Sequence, residues 1–357
     1  RGWSTMDMSH SISADNLYRW VDSLVGRFQV LGPVAAKRGQ NVFAQIDNSE
    51  RLALDYCTTM TSPRCFIYPS VQQLFTIDRE TNTYTATDPG PARTQLIFAI
   101  HPCDMHAISV LDRTFLGPNE DFYYAKRRQE TYTVVLNCNQ ACDQGFCASM
   151  GTGPFLRLTE GFDVVMTAWD GEYLLEAGSP RGQELIESAP GLKKTGRIRL
   201  YEKSQLEQQA AASFTKSLET EGLPELLMKT FEHPVYKEVA DARCLGCSNC
   251  VLVCPTCFCY KVVDRVDLGP RIVERSRQWD ACQDYGFAEV HDGNFRRPQQ
   301  ARLRQFLTHK LCTWLEQYGC FGCIGCGRCM TWCPTGIDIT EMAKEIQHDP
   351  TRQLEPG

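Results

Sequence analysis

The chain has 357 residues, 43% hydrophobic and 22% charged, with a formal net charge of −6. That length supplies two or three domains with a sizeable core, and the scattered Lys and Arg residues form no basic patch for a nucleic acid or an anionic membrane. The 19 cysteines, an odd number lying mostly in metal-type spacings, point to a reducing compartment rather than a disulfide framework. No apolar run approaches the roughly 18 residues needed to span a bilayer. The stretch Arg1-Gly2-Trp3-Ser4-Thr5 has no secretory h-region, and Arg127-Arg128 and Arg296-Arg297 lie too deep for an export signal. The expectation is a cytoplasmic protein that meets a membrane only through a partner.

In chain order, residues 13–28 predict an amphipathic helix capped by Ser13, with Leu17, Trp20, Val21, Leu24, Val25 and Phe28 on one core-facing stripe. Strand-like runs follow at 42–46, 95–100, 131–136, 163–169 and 173–176, with a helical stretch at 104–116. Residues 1–200 therefore predict an α/β domain with a mixed sheet. Residues 201–243 change to Glu, Gln, Ala, Leu and Lys, predicting a helical connector with helices at 203–219 and 223–231 and a break at Pro234. Residues 244–342 form a third region, interrupted by an insert at 260–319 that is expected to fold over its core and holds a helix-like 299–317. Residues 343–357 read as a helix end and a loose tail. The fold class expected is α+β.

Two cysteine strings dominate the third region. Cys244-Leu-Gly-Cys247-Ser-Asn-Cys250-Val-Leu-Val-Cys254-Pro255 and Cys323-Ile-Gly-Cys326-Gly-Arg-Cys329-Met-Thr-Trp-Cys333-Pro334 both read C-x2-C-x2-C-x3-C-P. This is the bacterial ferredoxin pattern for [4Fe–4S] clusters, in which the fourth cysteine of each string ligates the other cluster. One cluster then takes Cys244, Cys247, Cys250 and Cys333, and the other Cys323, Cys326, Cys329 and Cys254. Local ligation, each string keeping its own fourth cysteine, is the alternative that the long insert leaves open. Gly246, Gly325 and Gly327 let backbone N–H groups approach the sulfurs, and such hydrogen bonds raise a cluster's potential. Pro255 and Pro334 stop the helix that would carry the last cysteine past its iron.

Further cysteines are less regular. Cys257, Cys259, Cys282 and Cys312 are buried small apolar residues, alternative ligands or the holders of a further cluster. Cys320 is similarly ambiguous. In the N-terminal domain, Cys103 and Cys138 each follow a predicted strand end, where adjacent strands would present them on one edge. With Cys142 and Cys147 they suit a third [4Fe–4S] cluster, against a labile zinc site or an unligated loop. Cys57 and Cys65 read as packing residues. His101, His106 and His291 lack any metal-type pairing and read as satisfied histidines. No G-x-G-x-x-G follows a strand, there is no Walker motif, and Gly151-Thr152-Gly153-Pro154 lacks the third glycine. A dinucleotide of its own is not expected, and flavin binding without a motif stays open.

These motifs resemble the beta subunit of soluble NAD(P)-linked [NiFe] hydrogenases of the sulfhydrogenase type, and the related iron–sulfur subunit of anaerobic sulfite reductase. The resemblance runs over most of the chain. It is carried by His101-Pro102-Cys103-Asp104 with Leu111-Asp112, Tyr123-Tyr124 with Arg127-Arg128, and Gly161-Phe162-Asp163. It continues through Cys254-Pro255-Thr256-Cys257-Phe258-Cys259-Tyr260, Trp279-Asp280-Ala281-Cys282, Asn294-Phe295-Arg296 and Gly325-Cys326-Gly327-Arg328-Cys329. Gly145-Phe146-Cys147 departs from the Cys-Phe-Cys triplet of the family, which leaves the fourth ligand of a third cluster open. Cys312 is closer to the hydrogenase branch.

The resemblance implies a relay: a partner subunit carrying FAD or FMN exchanges a hydride with NAD(P)H, and this chain passes single electrons to catalytic subunits such as the [NiFe] hydrogenase small and large subunits. The residues agree on the essential step, since no acid–base pair or substrate motif accompanies the cluster strings. The same relay in an anaerobic sulfite reductase or a heterodisulfide-reductase-linked complex is the alternative within this class. Outside it stand a flavin-binding oxidoreductase in its own right and a redox-sensing scaffold.

Overall fold

The structure, a computed structural model, describes residues 9–352 apart from 89, 92, 196, 267–268 and 270. Strand β1 (Ser9–Ser13) leads into helix α1 (Ala14–Arg27), whose first turn is capped by the Ser13 hydroxyl accepting from the Asn16 N–H at 3.4 Å. There follow β2 (Gln29–Ala35), β3 (Asn41–Gln45), β4 (Val71–Asp78), β5 (Thr83–Ala86) and β6 (Gln95–Ile100). Helices α2 (Pro102–Phe115) and α3 (Phe122–Gln129) connect β6 to β7 (Thr131–Leu136). Strands β8 (Val164–Trp169) and β9 (Glu172–Ala177), helix α4 (Pro180–Glu187) and the short β10 (Lys193–Lys194) complete the N-terminal part.

Eight of these strands form one sheet in the order β10-β1-β9-β8-β7-β6-β2-β3. The central pairs β2/β6, β6/β7 and β7/β8 are parallel and the outer ones antiparallel. Every residue of β6 is buried, as a strand covered on both faces requires. Leu17, Trp20, Val21 and Leu24 of α1, with Leu185 and Ile186 of α4, pack on one face against Leu96, Phe98, Val134 and Val164. Met105, Ile108 and Leu111 of α2 and Tyr124 of α3 cover the other face against Ile97, Val135 and Val165.

A second sheet was not legible in the sequence. Strands β11 (Tyr260–Val266) and β12 (Ile272–Trp279) belong to the expected insert, yet they join β4 and β5 in the order β11-β12-β4-β5. The insert therefore divides: its hairpin pairs with the N-terminal part, while α9 (Gln299–Thr308) and the π-helical turn His309–Thr313 pack on the cysteine-rich core through Leu303, Phe306, Leu307 and Leu311. Helix α10 (Trp314–Tyr318) continues this segment.

The first helix of the connector begins and ends earlier than its composition suggests. Helix α5 spans Arg197–Ala212 rather than 203–219, and residues 213–219 are irregular because Ser213 turns back on Ala210. Helices α6 (Leu223–Lys229) and α7 (Val235–Ala242) flank Pro234 as expected. The two strings carry the short helices α8 (Asn249–Leu252) and α11 (Arg328–Thr331), and α12 (Ile339–His348) packs beneath them. The expected helix end at the C-terminus is part of α12, and residues 353–357 of the expected tail lie outside the described residues. No described helix is long and apolar enough to cross a membrane.

Candidate metal centres

The two strings fold alike. The glycine before each second cysteine, Gly246 and Gly325, is left-handed at φ 65° and 66°, and a second left-handed residue follows, Ser248 at 65° and Gly327 at 74°. These turns wrap the first three cysteines of each string before α8 or α11 carries the chain to the fourth. The strings lean together, Asn249 Nδ2 donating to the Trp332 carbonyl at 3.2 Å. One apolar cavity is lined by Cys244, Cys247, Cys250 and Cys333, so the fourth cysteine of the second string sits with the first three of the other. Reciprocally, Cys254 lies close enough to Cys323, Cys326 and Cys329 to raise each of their thiols electrostatically, on top of the larger effect of burial.

The donor set suits an anionic, thiolate-bound group. Burial pushes the Cys323 thiol up to about 12 and Cys250, Cys326 and Cys329 above the ordinary thiol range, so thiolates form there only against a counter-charge such as iron. N–H groups already face the sulfurs: Gly325 N–H donates to Cys323 Sγ at 3.4 Å and Ile337 N–H to Cys333 Sγ at 3.3 Å. Two residues beyond each fourth cysteine stands a threonine, and the hydroxyls of Thr256 and Thr335 lie 3.3 Å and 3.4 Å from Cys254 Sγ and Cys333 Sγ. For Cys333 burial raises the thiol, but the Thr335 hydroxyl and nearby N–H groups outweigh it and hold the thiol below its usual value. The repeated Cys-Pro-Thr was the available sequence signal for these hydroxyls. Lys310, only 3% exposed, donates to Thr256 Oγ1 at 2.8 Å, and its backbone carbonyl accepts from Gly322 and Cys323. This buried cation beside Cys254 and Cys323 was not singled out from the sequence.

The N-terminal cysteines converge at the carboxyl ends of β6 and β7. At the end of β6 the register with β7 shifts between Phe98 and Ile100, with Ala99 held at φ 59° and its carbonyl accepting from Tyr56 Oη at 2.7 Å. This bulge re-aims the chain into His101-Pro102-Cys103. Cys103, Cys138, Cys142 and Cys147 then line one cavity, with His101 and with Cys326 of the second string. Adjacent strands do present Cys103 and Cys138 on one edge. One expectation needs correcting, that for Cys57. Cys142 is not a free thiol, being bonded to Cys57 with their Cα atoms 5.5 Å apart, and Cys57 is therefore a sulfur partner at this site rather than a packing residue. Sequence spacing could not foresee this bond, because 85 residues separate the pair.

The N-terminal site docks directly on the second string. Phe146 N–H donates to the Gly325 carbonyl at 2.7 Å, and Thr152 Oγ1 donates to the Ile324 carbonyl at 2.6 Å. A Cβ on Gly325 would lie 2.7 Å from the backbone of Cys147, so the glycine serves close approach between sites as well as the turn. Beneath this contact Arg328 and Asp104, both 1% exposed, pair at 2.7 Å, and Arg328 Nε donates to the Thr59 carbonyl at 2.7 Å.

The remaining candidates separate. Cys312 Sγ donates to the Pro224 carbonyl at 3.2 Å within the α6/α9 core, a packing role. Cys320 lies at the margin of the small cluster formed by Ala107, Val110, Trp314 and Ile324. Cys65 is largely buried, and that burial raises its thiol to about 11. Cys257, Cys259 and Cys282 instead line a common cavity. His101 stacks on Tyr56 with ring centroids 3.9 Å apart, and burial lowers its pKa to about 4. His106 is lowered to about 4 by burial alone and accepts from the Arg157 N–H at 3.4 Å. His291 is exposed.

Among the described residues no three His, Cys, Asp or Glu side chains close on a point as the shell of a single metal ion would. A cubane spreads its four thiolates over separate irons and asks for the wider spacing of these cavities.

Residues 243–337 match the family described as a 4Fe-4S dicluster domain. The chain is 32% identical to sulfhydrogenase 2 subunit beta of Pyrococcus furiosus over 327 residues, covering 90% of this chain and 93% of that protein. With both strings folded as a pair and the likeness running nearly end to end, the chain belongs to the sulfhydrogenase beta-subunit family of 4Fe–4S proteins.

Proposed function

We propose that this chain is the electron-transfer subunit of a cytoplasmic multi-subunit oxidoreductase. It passes single electrons between a flavin- and NAD(P)-binding diaphorase subunit and the catalytic subunits of a [NiFe] hydrogenase. The observation that most supports this is the contact of three cysteine sites in a row: Cys333 beside the first string, Cys254 beside the second, and the Cys147 loop docked on Gly325. Cys244, Cys247, Cys250 and Cys333 would hold one cluster, and Cys323, Cys326, Cys329 and Cys254 another. Exchange with two small-molecule thiols, which are themselves oxidised to a disulfide, supplies the two electrons and two protons that turn the Cys57–Cys142 bond into two thiols, and Cys142 would then complete a third set with Cys103, Cys138 and Cys147.

When bound, [4Fe–4S] clusters supply one-electron redox chemistry within a window of about −700 to +450 mV. The chain's residues hold and tune it. Thiolates fix the irons, the Gly325 and Ile337 N–H groups and the two threonine hydroxyls withdraw charge from the sulfurs, and Lys310 places a buried positive charge beside the second site. Apolar walls line the first site, with Cys247 at its exposed edge.

Purified alone, the chain should give cluster EPR signals on reduction yet neither evolve hydrogen nor reduce pyridine nucleotides. Turnover of either kind by the isolated chain overturns the proposal. Cys103→Ser should remove about four irons per chain if the third set is occupied.

A second reading rests on a cavity of about 740 Å³ beside Tyr56, Asn137 and Asn139 at the carboxyl ends of the central strands. Its size falls in the range of small-molecule sites, about 300–1,000 Å³. It suits an N-terminal domain that binds a flavin or small substrate and uses the cysteine sites as its wire. Flavin retained by the isolated chain through gel filtration would favour it.

A further inference from the structure

Of the cysteines outside these sets, Cys257, Cys259 and Cys282 stand together. Cys257 and Cys259 lie on the run into β11, and Cys282 lies just past the end of β12. The hairpin closes them on one another: Tyr260 pairs with Trp279, and the Asp280 N–H donates to the Cys259 carbonyl at 2.9 Å. The Cys259 and Cys282 thiols lie beside one another, and Cys257 lies beside Lys310 and Cys254. From the N-terminal part, the Arg64 guanidinium clamps the Cys257 carbonyl and stacks on Trp279 at 4.2 Å.

The three thiols face a cavity of about 280 Å³ that Arg296, His309 and Lys310 also line. The π-helical turn beginning at His309 brings two consecutive residues to this one wall, and such turns are frequent at functional sites. Among the described residues no Asp or Glu lines the cavity. A buried ammonium costs heavily unless an anion faces it, and the most acidic side chains on these walls are the thiols. Simple packing of small apolar side chains does not account for the empty volume.

We propose that Cys257, Cys259 and Cys282 hold a further iron–sulfur cluster, separate from the ferredoxin pair and from the N-terminal set, with one iron left facing the cavity. The three thiolates and the inorganic sulfides supply the negative charge that Lys310 and Arg296 lack. The iron without a cysteine is open to His309 or to a small ligand entering the cavity. This inference rests on reading the chain as an iron–sulfur carrier.

The test is an iron-edge anomalous difference map from crystals of the full chain grown anaerobically, with iron and acid-labile sulfide counted in Cys282→Ser and Cys259→Ser. The expected result is iron density between Cys257, Cys259 and Cys282, and a loss of about four irons per chain in each variant with the EPR signals of the ferredoxin pair retained. Density at the two strings and none at this cavity overturns the inference alone. No iron at the strings overturns the reading beneath it. The map on unmodified protein decides the matter even if the variants do not fold, and an unchanged iron count in folded variants overturns the inference.

Discussion

Replacing Gly325 by Ala separates two costs that the structure assigns to one position. Gly246 and Gly325 occupy the same place in the two strings and have nearly the same φ, 65° and 66°. An alanine held in that region costs about 1–2 kcal/mol at either site. A Cβ on Gly246 meets only the Gln299 side-chain amide, at 3.5 Å, which is ordinary contact. On Gly325 it meets the Cys147 backbone at 2.7 Å, and backbone cannot swing aside as a side chain can. The 144–147 loop must retreat by several tenths of an ångström. The Phe146–Gly325 and Thr152–Ile324 hydrogen bonds are then stretched, and the Phe146 side chain, 1% exposed, begins to lift. Full detachment would add about 2.5–6 kcal/mol, combining burial of a Phe with two hydrogen bonds. Thermal unfolding of both iron-loaded variants at one scan rate, followed by near-UV circular dichroism, reads the difference. Gly325→Ala should melt clearly below Gly246→Ala. Equal melting temperatures would refute the claim that the N-terminal site is seated on the second string.

Asp104→Asn leaves Arg328 buried beside an uncharged amide and should destabilise the chain by about 3–5 kcal/mol, since breaking a buried pair strands a charge; a shift below 1 kcal/mol in urea titration contradicts that. His106 has a folded pKa of about 4, below its unfolded value, because burial disfavours the charged ring. The unfolded chain therefore binds the extra proton first, and stability present above pH 6.5 is lost as pH falls toward 4. His106→Gln should remove about 2 kcal/mol of that acid sensitivity, compared at pH 7 and pH 5. Lys310→Met removes a buried positive charge beside Cys254 and Cys323 and should lower the midpoint potential of the second site by on the order of 50–100 mV, taking an effective dielectric near 20. An EPR-monitored redox titration with an unmoved midpoint would exclude that role.

Much of this was readable from residue order, because its determinants are local. The cap at Ser13, the all-apolar run of β6 and the spacing of both strings depend on neighbours within a few positions. Even the shared edge for Cys103 and Cys138 follows from two strand ends. What escaped depends on partners far along the chain. The hairpin β11–β12 alternates weakly and is mostly exposed, so nothing within it announces β4 as its neighbour. Cys57 carries no motif, and its meaning comes from Cys142 alone. Lys310 looks like any lysine in a helix until the π turn seats it behind Thr256. The early end of α5 reflects a turn at Ser213 that helical propensity around it conceals.

The shared small sheet has a consequence for how such a chain is made. As synthesis passes residue 243 the N-terminal part already has β4 and β5, but β12, which covers the open side of β4, has not yet been synthesised. An eight-residue strand with one bare edge is a template for pairing with other chains. A nascent or truncated N-terminal part is thus poised to aggregate until the hairpin arrives, and the segment that protects it is the one that carries Cys259 and Cys282 to each other. Quality control of the polypeptide and loading of its metal would then converge on the same few strands.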